Sequence, residues 1–266
     1  MSARRNSYGA RFQQKGRAVT RPDHTLDETQ TRIDLAAAIR LSCRYGWHEG
    51  VANHFSAAVS ADGKRFVVNP RWVHWSRVRA SDLVLCDADD ASTMDRPDAP
   101  DPSAWSIHSA LHRELPQARV ALHIHPPYAT ALACLDDPVI KPVDQVTARF
   151  FRRIAYDLSF GGIATEGSEG MRIAATVGNH ATVMMQNHGV TTLGTTVAEA
   201  WDALYHLERA AKTLVLAYST GQPLKVMDDA LAEATAAEWT KYKDAEFAHF
   251  AEMKRILDRE APDYKD

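Results

Sequence analysis

Two periodicities alternate along this chain. From 25 to 46, Ile33, Ala37, Ile39, Leu41 and Tyr45 form a rough stripe at helical spacing; Thr25 or Asp27 is available as a cap, and Gly46 ends the run. The rhythm then shortens to two. Residues 53–60 and 65–69 flank Asp62-Gly63, which predicts a hairpin, and a short strand follows in SDLVLCDADD. After a polar, proline-rich stretch from Asp87 to Asp101, the helical rhythm returns in PSAWSIHSALHREL. Pro102 lies near its first turn, Ser103 is available as a cap, and Pro116 marks its end. RVALHIHP predicts a strand, PYATALACL opens a helix, and ATVMMQNHGVTTLG predicts two strands about a turn at Asn187–Gly189. A long helix follows, with Thr196 and Glu199 at capping-box spacing. One last amphipathic helix is expected from about 228 to 259.

Helices and strands alternate without a linker long enough to separate domains, which predicts one α/β domain. Residues 1–24 read as a flexible basic arm, 25–222 as the domain, and 223–266 as its helical extension. The 266 residues are 45% hydrophobic and 24% charged, so the chain can bury a core without disulfides or a structural metal. A net charge of -3 gives no basic excess, so neither nucleic acid nor an anionic membrane is an expected partner. No apolar run approaches the roughly 18 residues of a membrane span. Cys43, Cys86 and Cys134 form no CxxC pair; they read as small buried thiols, and a cytoplasmic location is expected.

The chemistry concentrates in HIHPP. Residues two apart on a strand share a face, so His123 and His125 point together while Ile124 points away. Pro126 and Pro127 stop the strand, which puts the pair at a sheet end, where ligand sites tend to lie. His188, beside a glycine turn, is a candidate third ligand. Three histidines leave coordination positions open, as catalytic metals require. The blander reading is polar residues at strand ends: the chain has twelve histidines, and cupin-like folds also carry HxH.

HIHPPYATALA, followed about sixty residues later by MMQNHGV and a long helix, resembles the class II aldolase/adducin family. EGVANHFS, VNPRWVHWSRVRASDLVLCD and PSAWSIHSALHRELPQARVALHIH are similar to that family in order and spacing, over roughly residues 30 to 220. The resemblance implies α/β/α layers around a central mixed, largely antiparallel sheet. It also implies one catalytic divalent ion (Zn, Mn, Co or Fe) on His123, His125 and His188, and a homotetramer with sites between subunits.

Three departures from the family's sugar-phosphate aldolases narrow the chemistry. Their acid/base glutamate before the tryptophan is Ala104 here, and alanine transfers no proton. Their phosphate-binding TSGN is GVAN, retaining Asn53, and their Thr-Gly pair becomes Arg71-Trp72. Arg71 offers a fork suited to a carboxylate, and Trp72 and Trp75 offer rings for stacking. A surface or subunit contact is the blander view of Arg71, Trp72, His74 and Trp75. Near the position of a tyrosine that acts in the neighbouring subunit's site stands Gln145, a hydrogen-bonder but no acid. Asp144 beside it is titratable, or a cap.

The expected activity is therefore a metal-dependent lyase, foremost a decarboxylase of a hydroxylated carboxylate, aromatic ones included. Some relatives in the family resemble decarboxylases of hydroxylated aromatic or pyridine carboxylates. Arg71, His108 and Asp144 are the candidate catalytic residues, with His108, Asp144 or a water as proton source. Asn53, Trp72, Ser103 and Gln145 are the candidate substrate contacts. An aldolase for an unphosphorylated substrate, a non-haem iron oxygenase and an inactive adducin-like scaffold are the alternatives.

Overall fold

The structure is a computed structural model that describes residues 27–162, 167–242 and 244–266; the basic arm and Thr25 lie outside the described residues. In chain order the elements are α1 (Glu28–Arg44), β1 (His54–Ala58), β2 (Arg65–Val68), β3 (Val84–Asp87), α2 (Pro102–Glu114), β4 (Val120–Ile124) and α3 (Pro127–Ala133). There follow α4 (Gln145–Ala148), β5 (Ala155–Asp157), α5 (Gly167–Val177), β6 (Thr182–Met185), β7 (Gly189–Gly194), α6 (Val197–Tyr218), α7 (Asp229–Trp239) and α8 (Ala245–Glu260).

The strands form one sheet in the order β3-β2-β1-β4-β7-β6-β5, antiparallel throughout except for the parallel pair β5–β6. The expected mixed, largely antiparallel sheet is therefore present, and helices cover both faces. β4 lies at its centre and is buried along its whole length. Its alternate residues supply two cores. Val120, Leu122 and Ile124 join α1, α3, α6 and α8 on one face, and Ala121 joins α2 and α5 on the other. His123 has the parity of Ala121 and so faces the α2 side.

Several local expectations are corrected. Asp101, not Ser103, caps α2 by accepting the Ser103 N–H. Its carboxylate sits one residue before Pro102, as an N-cap must when proline takes the first helical position. The last helix is two. α7 turns Ala232 and Ala236 inward over α4, whereas α8 packs Phe247, Phe250, Met253 and Leu257 into the main core. Asp244, with φ of 64°, starts α8 in a new direction. Cys134 is exposed rather than buried. No described helix is long and apolar enough to cross a membrane.

Candidate metal centre and adjoining cavity

β4 ends at Ile124, and Pro126 carries the chain straight into α3, so His125 stands just past the strand end. β4 pairs with β7, and the turn before β7 brings His188 to the same end. The ring centroids of His123, His125 and His188 lie 4.8 to 5.0 Å apart, and one ring nitrogen from each falls within 4.8 Å of the others. Gly189 makes this approach possible: a Cβ there would stand 2.4 Å from His125 Cδ2 and 2.8 Å from the Ile124 carbonyl oxygen.

The hydrogen bonds behind the rings fix their orientation. His125 Nδ1 lies 2.6 Å from Glu49 Oε2, and His123 Nδ1 lies 3.1 Å from Thr191 Oγ1. A carboxylate only accepts, so His125 Nδ1 carries its proton. The Nε2 atoms of His123 and His125 then face each other at 3.2 Å. The Thr191 hydroxyl can accept from His123 Nδ1, and with that tautomer both Nε2 lone pairs converge. Two ligands on one tetrahedral ion at about 2.1 Å stand roughly 3.4 Å apart, close to this separation. His188 brings a third imidazole to the same point. Burial keeps two of the rings neutral, as ligands must be: it pushes His123 well below the ordinary histidine value and His188 down to about 4, with neighbouring imidazoles adding to both shifts. The residues present therefore fit a divalent ion.

A cavity of about 210 Å³ adjoins the triad through His54, whose ring lies 4.7 Å from that of His123; no triad histidine lines it. Asn53, Arg71, Trp72 and Ser103, four of the residues singled out in the sequence, line it together with Ala104 and His54. Trp72 is 67% exposed and carries the Arg71 guanidinium over its ring at 4.6 Å. Arg71 also faces Asp101 at 3.5 Å. Ser103 donates to Asp101 at 2.6 Å and stands 3.3 Å from His54 Nε2.

Other expectations place differently. Trp75 is fully buried edge-on against Phe55 and cannot stack on a ligand. His108 is also fully buried. It bonds His54 Nδ1 at 2.8 Å and Ser56 Oγ at 2.5 Å, and Ser56 continues to His112 at 2.7 Å. It thus reaches the site through His54, whose ring lies 4.7 Å from that of His123. Asp144 caps α4 by accepting the Thr147 N–H. Gln145 is exposed, and its carbonyl accepts from Trp239 Nε1. Neither lines the cavity.

Glu49, His54 and Thr191 were missed by sequence reasoning. His54 and His123 are direct partners in the β1–β4 register, as are His123 and Thr191 in β4–β7. Only strand pairing reveals them. Glu49 arrives from a loop; it opens the EGVANHFS stretch that resembles the family, but that resemblance assigns it no role.

Residues 33–215 match the family described as the class II aldolase and adducin N-terminal domain. A putative aldolase class 2 protein of Caulobacter vibrioides is 30% identical over 246 residues, 90% of this chain and 93% of its own. The decarboxylase NovR of Streptomyces niveus is 27% identical over 72% of this chain and 71% of its own. A Streptomyces roseochromogenus protein named 4-hydroxy-3-prenylphenylpyruvate oxygenase/4-hydroxy-3-prenylbenzoate synthase is 27% identical over 62% of this chain and 60% of its own. The crystal structure of an aldolase II superfamily protein from Pseudomonas syringae superposes with a TM-score of 0.82 at 28% identity, covering 90% of this chain and 96% of that one.

Proposed function

The chain belongs to the class II aldolase/adducin family, and from that premise we propose that it is a divalent-metal-dependent carbon–carbon lyase that decarboxylates a hydroxylated carboxylate, with aromatic substrates foremost. One observation carries this reading: the three-histidine group stands beside a cavity whose wall holds Ala104 with Arg71 and Trp72. A proton-transferring carboxylate is missing where cleavage of a sugar phosphate would need it, and an anion-and-ring recognition pair is present instead. The relative named decarboxylase NovR supports the choice.

His123, His125 and His188 hold the ion, which when bound supplies Lewis acidity toward a chelating pair of substrate oxygens. Glu49 and Thr191 keep the first two rings turned toward it. Arg71 takes the substrate carboxylate, Trp72 lies along its ring, and Asn53 and Ser103 offer polar contacts. Loss of CO2 breaks one carbon–carbon bond and leaves a carbon that must gain one proton. His54 is the imidazole in the cavity wall able to pass it, with His108 behind it.

A second reading has the oxygenase-named relative behind it, since three neutral ligands also suit Fe(II). Chelated protein reloaded with Zn, Mn, Co or Fe is incubated without oxygen with hydroxylated benzoates, pyridine carboxylates and aliphatic hydroxy acids. Metal-dependent CO2 release with a product one carbon shorter is expected. A carbonyl fragment without CO2 would make it an aldolase, and turnover only with O2 uptake an oxygenase. No turnover with any metal would leave the scaffold reading.

A further inference from the structure

A second group of ligating side chains lies away from the triad, on α6 and α8. Asp202 and His206 are four residues apart on α6, the spacing that puts two side chains on one helix face, and His249 reaches them from α8. Their ligating atoms all lie within 4.8 Å of one another. We propose that Asp202, His206 and His249 form a second metal site, for a first-row divalent transition ion, that clamps α6 to α8.

The hydrogen bonds around these rings leave both able to ligate. His249 Nδ1 lies 2.7 Å from Asp202 Oδ1, and His206 Nδ1 lies 2.9 Å from the Asp202 carbonyl oxygen. Both acceptors lack a proton to give, so without an ion each ring carries its hydrogen on Nδ1. The same two nitrogens converge with the carboxylate: His249 Nδ1 stands 2.7 Å and His206 Nδ1 3.3 Å from Asp202 Oδ1. An ion would take Nδ1 of each ring together with Oδ1, each ring's hydrogen moving to Nε2, which has no hydrogen-bond partner among the described residues. The ring centroids are 5.8 Å apart, close enough for one ion to take both.

The charge also suits a cation. Asp202 is nearly buried. Burial alone would raise its pKa, but the hydrogen bonds from His206 and His249, with the Arg149 guanidinium 2.8 Å from Oδ2, outweigh that and keep it ionised. Arg149 occupies one carboxylate oxygen, and Oδ1 remains to share with an ion. The rings open on a cavity of about 300 Å³, into which Glu246 brings a second carboxylate. Arg149 is held over the Trp239 ring at 5.2 Å. Two imidazoles with one carboxylate oxygen favour zinc, nickel, cobalt or iron over magnesium or calcium. Arg149 follows α4, so an ion here would fasten three helices through Asp202.

The site is independent of the triad, and the test separates the two. Full-length protein is stripped with a chelator, titrated with Zn2+ and assayed for bound zinc. The expected stoichiometry is two per chain for wild type and one each for His249→Ala, His206→Gln and His123→Ala. Wild type binding one ion that His249→Ala abolishes and His123→Ala keeps would refute the triad alone. His249→Ala and His206→Gln both matching wild type would refute the second site. Should either variant fail to fold, modification of the wild-type histidines by diethyl pyrocarbonate decides. Zn2+ is expected to slow modification of both His206 and His249 at least tenfold, and unchanged rates would overturn the proposal.

Discussion

At the scale of single residues, the triad depends on two residues that are not ligands. Gly189 leaves the space His125 occupies, because any Cβ would overlap that ring. Gly189→Ala is therefore expected to lower zinc affinity while strands β6 and β7 stay paired; equal affinity in an equilibrium titration would remove glycine from the account. Glu49 holds the far side of the His125 ring. Loss of such a partner weakens metal binding by about 10- to 100-fold, and Glu49→Ala is predicted to fall in that range, with Glu49→Gln retaining part of the affinity. Both effects are readable by competition with a chromophoric chelator. That His123, His125 and His188 meet at one sheet end was legible from strand parity, a glycine turn and the family resemblance. Glu49 and His54 were not, because their roles arise from loop closure and strand register.

Among the elements, the contact between α3 and α6 controls how the chain leaves the metal centre. Glu208 on α6 accepts the Tyr128 and Ala129 N–H groups at 2.9 and 2.8 Å, closing the first turn of α3 just after His125. Burial pushes its carboxyl up to about 7 from an ordinary 4.5, against the smaller opposing effect of those N–H groups. Folded protein thus binds the extra proton between these values, and this group's contribution to stability falls as pH rises through them. Glu208→Gln is predicted to remove that slope in urea denaturation curves from pH 4.5 to 7; an unchanged slope would show that Glu208 titrates normally. The elements carrying the site were readable because their apolar periods are clear. β5 has three residues and α5 includes two glycines among its first four, so neither rises above the surrounding loops. The break between α7 and α8 carries no proline or glycine. It is set by tertiary partners, α4 for one helix and α1 with α6 for the other.

For the whole molecule, the α2 side of the sheet holds a buried polar seam. Burial lowers His54 and His112 to about 3 and His108 well below the ordinary 6.5. In each case the unfolded chain binds the proton more readily, so stability is predicted to drop as pH falls from 6.5 toward 3. Glu208 opposes this over part of the window, but it is one group against three. A denaturation midpoint that rises on acidification would contradict that balance. Leu158 and Phe160, 60% and 51% exposed, leave an apolar edge near His188. That surface favours a contact between copies of the chain, and sedimentation at micromolar concentration is expected to report a tetramer; a monomer would confine the active site to one chain.

The central claim is that His123, His125 and His188 hold one catalytic divalent ion. Crystals of zinc-loaded protein, measured on both sides of the zinc absorption edge, test it directly. The account predicts an anomalous peak about 2.0–2.1 Å from a ring nitrogen of each of the three histidines, absent in His188→Ala. Zinc-loaded crystals with no peak among those rings would contradict it.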